Sequence, residues 1–210
     1  MCPGLFFCIR FFFIGFNLLS FALLSDIARA YAEERNDGKT LILYYSRSGN
    51  TRAASEVLQR ELRADMVEIK DCGNRGPGFG IVMGMLKTIL NLNTDTDPAT
   101  VDLAPYKTVI VAAPIWAAKF GLAMRSFVER NRFDGKRVII FITADVFIEE
   151  KYQKKHRELI EASGGTVAGY FQVQATDLVD GKKKPRSRET IIAETIKLIP
   201  HIKQAIAGAP

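Results

Sequence analysis

The chain has 210 residues, 48% of them hydrophobic and 25% charged, which suits one globular core and argues on length against two full-sized domains. Lysine and arginine number 29 against 23 acidic residues, a formal charge of +6. That balance favours anionic ligands or surfaces, but no RNA-binding aromatic motif, zinc-finger spacing or basic helix stands out, so no nucleic-acid partner is expected. The cysteines are Cys2, Cys8 and Cys72 and the histidines are His156 and His201; this excludes a histidine-rich metal centre, and the cysteine spacing matches no metal site.

In chain order, the first element is unlike the rest. Arg10 is followed by an apolar run over 11–24 and then by Ser25-Asp26-Ile27-Ala28-Arg29-Ala30-Tyr31-Ala32. One positive charge, an apolar stretch and small residues at alternate positions make the order of a secretory signal, with cleavage after Ala30 or Ala32. Two readings stand beside it: an uncleaved anchor over 5–24, and a core helix or a wrongly chosen start codon. Residues 1–32 are therefore expected to be a signal peptide or membrane anchor, 33–38 a polar linker, and 39–210 the folded domain. The matching locations are export to the periplasm, membrane association through the N-terminus, or the cytoplasm if the start is wrong. No Arg-Arg pair precedes the run, so a signal for export of a folded, cofactor-loaded protein is missing.

The remainder alternates strand and helix patterns. Residues 40–45 form a continuous apolar run, typical of a strand buried on both faces. A helix over 50–62 follows, with Ala54, Val57, Leu58 and Leu62 at helical spacing. Residues 66–70 alternate as an edge strand. A glycine-rich loop over 72–80 leads to a helix over 81–92, whose expected inner face carries Ile81, Met85, Leu86, Ile89 and Leu90. Buried strands are expected at 108–113 and 137–143, and helices at 122–131 and 149–162, the latter with Tyr152, His156, Leu159 and Ile160 inward. A fifth strand over 166–176 precedes a last helix from about Ser187, with Ile192, Ile196 and Ile199 on its core face. Pro200 should kink that helix or start a new one.

Strands alternating with helices imply a parallel sheet covered on both faces, and right-handed crossovers make it doubly wound. The expected fold class is α/β: a five-stranded parallel sheet of strand order 2-1-3-4-5 in a three-layer sandwich. In such sheets a ligand binds beyond the carboxyl ends of the strands, where the order reverses. The loops to inspect follow the first, third and fourth strands.

The first of these loops reads Ser46-Arg47-Ser48-Gly49-Asn50-Thr51 and runs straight into a helix. Helix-start N–H groups lack internal partners, and the helix dipole adds partial positive charge. A phosphate fits there, with the hydroxyls of Ser46, Ser48 and Thr51 and backbone N–H groups as donors, while Gly49 permits close backbone approach. The Walker and dinucleotide glycine patterns are both absent, which argues against a nucleoside triphosphate and against NAD held on a Rossmann turn. The segment resembles the phosphate loop of flavodoxins, Ser/Thr-x-Ser/Thr-Gly-x-Thr, at every specified position, and the order of strands and helices extends the resemblance over about 40–205. It implies a flavodoxin-like fold that binds flavin mononucleotide (FMN).

By that resemblance the loop Pro114, Ile115, Trp116, Ala117, Ala118, Lys119 and Phe120 would pack against the flavin ring, with the chain's only tryptophan in it. Ala118 stands where glycine is common in the family. Thr143, Ala144 and Asp145, with Phe147 beyond them, would flank the pyrimidine end of the ring. Trp116 as a simple core residue, and the third loop as ordinary surface, are the competing readings. The glycine-rich stretch with Met83 and Met85 is a candidate cover for the pocket. The basic run Gly181-Lys182-Lys183-Lys184-Pro185-Arg186-Ser187-Arg188 is a solvated loop or a docking site for an acidic partner or anionic membrane.

FMN would carry the redox chemistry, with no catalytic residue required of the protein. The resemblance implies an electron-transfer protein or an FMN-dependent oxidoreductase of the quinone or NAD(P)H type, passing electrons to a redox partner protein or to a small-molecule acceptor such as a quinone. A membrane-associated quinone reductase and a flavodoxin-fold binding domain without flavin are the alternatives. Without residues 1–30 the chain keeps 27 basic and 22 acidic residues, and Lys119 is expected near the flavin. Positive potential of this kind favours a reduction potential less negative than that of an acidic carrier.

Overall fold

The computed structural model describes residues 39–73, 84, 86–90 and 92–208. The expected signal or anchor (1–32), the linker (33–38), most of the glycine-rich stretch, and Met83 and Met85 lie outside the described residues. Among the described residues no helix is long and apolar enough to cross a membrane.

The elements in chain order are β1 (Lys39–Tyr44), α1 (Asn50–Leu62), β2 (Asp65–Glu68), β3 (Lys70–Asp71), β4 (Thr96–Asp97), β5 (Tyr106–Trp116), β6 (Lys119–Phe120), α2 (Leu122–Arg130), β7 (Arg137–Ala144), α3 (Glu150–Ala162), β8 (Thr166–Gln174), β9 (Thr176–Val179), β10 (Lys182–Pro185) and α4 (Arg188–Ala207). Residues 84 and 86–89 are also helical. The main sheet has the order β2-β1-β5-β7-β8, with all four pairings parallel. This is the 2-1-3-4-5 order expected from the alternation of elements.

Strand periodicity separates the two cores. Leu41, Leu43, Val109, Val111, Val138, Ile140 and Ile142 point to one face, where they meet Ala123, Met124 and Phe127 of α2 and Ile160 of α3. Their neighbours Ile42, Tyr44, Ile110, Ala112, Ile139 and Phe141 point to the other, against Val57 and Leu58 of α1 and Ile191, Ile199 and Ile202 of α4. Successive residues on one strand therefore serve opposite layers, which is why β1, β5 and β7 read as unbroken apolar runs. The chain moves from β1 outward to β2, then returns across β1 to β5. The order reverses between β1 and β5, and the crevice above their carboxyl ends lies beyond Tyr44 and Ala112, which are register partners.

The structure corrects several sequence expectations. The edge strand ends at Glu68, after which Lys70 and Asp71 pair with β4 in a separate antiparallel ladder, because buried Ile69 turns inward and gives its N–H to the Tyr44 carbonyl. Of the stripe assigned to the helix over 81–92, Ile81 and Met85 lie outside the described residues and the other three do not face inward. Leu86, Ile89 and Leu90 are exposed, and Thr88 is buried instead, its hydroxyl donating to the Gly84 carbonyl. On α4 the fully buried positions are Ile191, Thr195, Ile199 and Ile202; the expected Ile199 is among them, the expected Ile192 packs half-buried against the same core, and the expected Ile196 is exposed. That helix runs through Pro200 unbroken. The carbonyl that loses its donor to Pro200 belongs to Ile196, on the solvent side, where water can replace the bond.

The fifth strand stops at Gln174 rather than Thr176. Residues 176–185 form the β9–β10 hairpin, with Asp180 and Gly181 at its turn in the left-handed region. The dipeptide Asp-Gly between two short runs is the sequence signal for such a turn, so the basic stretch is a hairpin strand and not the loop expected. Lys182, Lys183 and Lys184 thus belong to a strand.

Candidate functional site

The three loops converge at the carboxyl ends of β1, β5 and β7. At the first, Gly49 adopts φ 94° and ψ −15° immediately before α1. This left-handed conformation suits glycine; a Cβ there would meet nothing within 4 Å, so the requirement is for backbone freedom and not for space. No side chain caps α1. The Ala53 N–H bonds the Gly49 carbonyl, and the amides before it open onto the loop. Ser46 is half-buried, and its Oγ is fully buried with no hydrogen-bond partner. A hydroxyl shut away from water and left unmatched is costly unless something meets it.

The remaining residues of the loop point different ways. Arg47 and Ser48 are exposed and Asn50 is half-buried. The Arg47 guanidinium carbon lies 5.9 Å from the centre of the Trp116 ring, within cation–π range. Thr51 is buried, and its Oγ1 lies 2.8 Å from the Oγ1 of Thr143, each hydroxyl able to donate. The first turn of α1 is thereby tied directly to the end of β7, so the first and third loops are held in fixed relation. The Thr51 hydroxyl, expected to face a phosphate, is turned to β7 in this structure.

The second segment is not a loop from Pro114 onward. Strand β5 continues through Pro114, Ile115 and Trp116, turns at Ala117 and Ala118, and returns as β6, pairing Ile115 with Phe120 and Trp116 with Lys119. Pro114 is tolerated in a strand because β1 has ended beside it, Ala112 being the last residue paired on that side, so its missing donor faces no ladder. The Pro114 carbonyl accepts from the Gly121 N–H at 2.7 Å. Trp116 is half-buried and meets Tyr45 edge-to-face at 5.7 Å, so it is a wall shared between the first and second segments and not a fully enclosed core residue.

The turn itself is unusual. Ala117 and Ala118 have φ 47° and 60°, the pair of left-handed residues that a two-residue hairpin demands and that Asn-Gly normally supplies. The Ala118 carbonyl is bonded to His156 Nε2 at 3.0 Å, and His156 Nδ1 lies 2.8 Å from the Tyr170 hydroxyl. His156 is 3% exposed and stacks on Phe120, ring centres 4.7 Å apart. A carbonyl cannot donate, so Nε2 carries the hydrogen and the Tyr170 O–H donates to a bare Nδ1. Burial lowers the His156 pKa, opposed in part by the Ala118 carbonyl, and burial raises that of Tyr170. The lowered pKa favours the neutral imidazole at neutral pH. His156 was expected only as an inward residue of its helix; nothing in its sequence neighbourhood joins it to position 118.

In the third segment Thr143 and Ala144 are buried strand residues and not loop. Asp145 is exposed, its carboxylate 3.5 Å from Lys183 Nζ, and its carbonyl accepts from Thr176 Oγ1 at 2.9 Å. Phe147 is 72% exposed. The Lys119 ammonium bonds the Thr88 and Ile89 carbonyls at the end of the helical stretch, where a cation is favoured by the helix dipole.

Comparison with solved structures agrees with this architecture. A flavoprotein from Lactobacillus acidophilus, solved in complex with FMN, superposes with a TM-score of 0.53 at 21% identity, covering 64% of this chain and 93% of that one. A candidate flavoprotein from Bacteroides uniformis gives 0.59 at 21% identity, covering 76% and 98%, and one from Bacteroides eggerthii gives 0.56 at 16%, covering 78% and 98%. The chain has the flavodoxin-like fold. No family profile and no curated protein matches the sequence, so the likeness lies in the arrangement of strands and helices. Across the carboxyl ends of β1, β5 and β7 the segments are joined by Thr51 with Thr143, and by Arg47 and Tyr45 with Trp116.

Proposed function

We propose that the flavodoxin-like domain binds FMN and acts in electron transfer or as an FMN-dependent oxidoreductase. The observation that carries this reading is the buried, unpartnered Ser46 Oγ beside an uncapped helix start at the sheet's order reversal. A phosphate oxygen is an acceptor only, and this site offers donors to meet it: the Ser46 hydroxyl, the exposed Ser48 hydroxyl and the first amides of α1. Arg47 adds a positive charge at the rim. The FMN in the Lactobacillus acidophilus neighbour supports the same ligand class.

FMN, when bound, would supply the redox chemistry. The chain's part is to hold and shield it. Ser46, Ser48 and the 49–52 backbone would grip the phosphate; Trp116 and the Ala117 and Ala118 turn would border the ring; Ala144 and Asp145 would offer backbone groups. The bond between Thr51 and Thr143 fixes the first and third of these sets together. We propose a quinone or a protein redox partner as the electron acceptor, in keeping with the net positive charge of the domain.

The test is a titration of the purified domain with FMN, followed by flavin fluorescence, with riboflavin as the control lacking a phosphate. Saturable quenching at micromolar FMN or below, with riboflavin much weaker, supports the reading. Equal affinity for the two flavins would refute the phosphate site, and no affinity for either would leave a binding domain of this fold without FMN.

A further inference from the structure

We propose that His156 is a positioning residue of the candidate flavin pocket, holding the Ala117 and Ala118 turn in its left-handed geometry and keeping the Ala118 carbonyl directed into the domain. Its consequence for a ligand rests on the FMN reading; its geometry rests on hydrogen bonds alone.

Two consecutive alanines at φ 47° and 60° occupy a conformation that alanine disfavours and that glycine adopts freely. Such a turn persists only where the surroundings over-determine it. Three contacts do so here. β6 pairs with the end of β5 on both sides of the turn, Phe120 stacks on the imidazole, and His156 Nε2–H donates to the Ala118 carbonyl at 3.0 Å. The imidazole is in turn fixed by Tyr170, whose ring is parallel to it within 2°, with its hydroxyl 2.8 Å from Nδ1. The Ala118 carbonyl can only accept, so it selects the tautomer that bears hydrogen on Nε2, and the Tyr170 hydroxyl supports that tautomer by donating to Nδ1. The chain Tyr170 to His156 to Ala118 thus runs from strand β8 through helix α3 to the pocket wall. The carbonyl so engaged is turned toward a buried ring, and a ligand in the pocket meets the turn without it as an acceptor.

The decisive experiment is a double-mutant cycle. His156→Phe keeps an aromatic ring for Phe120 and removes the donor. Ala117→Gly with Ala118→Gly gives a turn that needs no help to be left-handed. His156→Phe alone should raise the FMN Kd roughly 3- to 15-fold, the worth of one neutral hydrogen bond, and should change the backbone NMR shifts of residues 117 and 118. In the glycine background the same substitution should change affinity less than about twofold, within the error of additive sites. An equal penalty in both backgrounds, or none in either, would overturn the proposal, since His156 would then be core filling only. The wild-type protein supplies a reading that needs no variant to fold. Its long-range imidazole 15N spectrum should show hydrogen on Nε2 and none on Nδ1, and the opposite tautomer would equally overturn it. If wild-type protein fails to bind FMN while the 117–118 shifts and the tautomer behave as stated, the flavin reading fails and the positioning role stands.

Discussion

Replacing Ser46 with alanine should move stability and affinity in opposite directions. The Ser46 Oγ is buried and makes no hydrogen bond within the domain. Leaving a hydroxyl in that state costs about 1–3 kcal/mol, and deleting one oxygen opens little space. Ser46→Ala should therefore raise the unfolding free energy of the FMN-free domain by about 1 kcal/mol, or about 3 °C in Tm for a domain of this size. The same hydroxyl would meet the FMN phosphate in a charge-assisted bond worth about 1.5–3 kcal/mol, so the variant should lose FMN affinity by roughly 10- to 150-fold. Riboflavin affinity should barely change. Thermal melts with and without saturating FMN, beside fluorescence titrations with both flavins, read all three quantities on one preparation. An alanine variant that binds FMN as well as wild type would refute the phosphate assignment. A variant that is less stable without ligand would refute the claim that the hydroxyl is unsatisfied.

Three further outcomes follow from the geometry. Gly49→Ala should lower stability by about 1–2 kcal/mol, the cost of a left-handed alanine, with no steric contribution since the added Cβ meets nothing; urea denaturation measures it, and Gly49→Asn should be milder. Thr143→Val should cost about 1–3 kcal/mol by stranding the buried Thr51 hydroxyl, and hydrogen exchange at the start of α1 should rise with it. Because burial lowers the His156 pKa, the unfolded chain binds a proton near pH 6.5 that the folded one refuses. Stability therefore falls as pH drops below about 6.5, by up to about 1.4 kcal/mol per unit, until the folded-state pKa is reached. Melts of wild type and His156→Gln between pH 5 and 8 isolate this slope, which should vanish in the variant.

Much of the fold could be read from local sequence. Residues 41–43, 109–113 and 138–142 are apolar without interruption, and only a strand covered on both faces requires that. Turn chemistry was legible too. Gly49 sits where a left-handed residue opens α1, and Asp180-Gly181 marks the β9–β10 hairpin, a signal obscured by the lysines that follow it. Helix faces were less legible where apolar residues are abundant. On α4 six isoleucines offer more than one stripe, and contact with α1 and β8 selects Ile191, Ile199 and Ile202.

Residues adjacent in the chain were enough to specify which segments are buried strands, the order in which they alternate with helices, and the donor-rich loop at the start of α1. Which residues meet across the sheet follows only from the folded chain: Thr51 with Thr143, Arg47 with Trp116, His156 with Ala118. Those pairs are separated by 92, 69 and 38 positions. The left-handed turn at Ala117 and Ala118 belongs to this second group. Alanine carries no local preference for it, and only the hairpin pairing and a hydrogen bond from a distant helix make it the stable conformation.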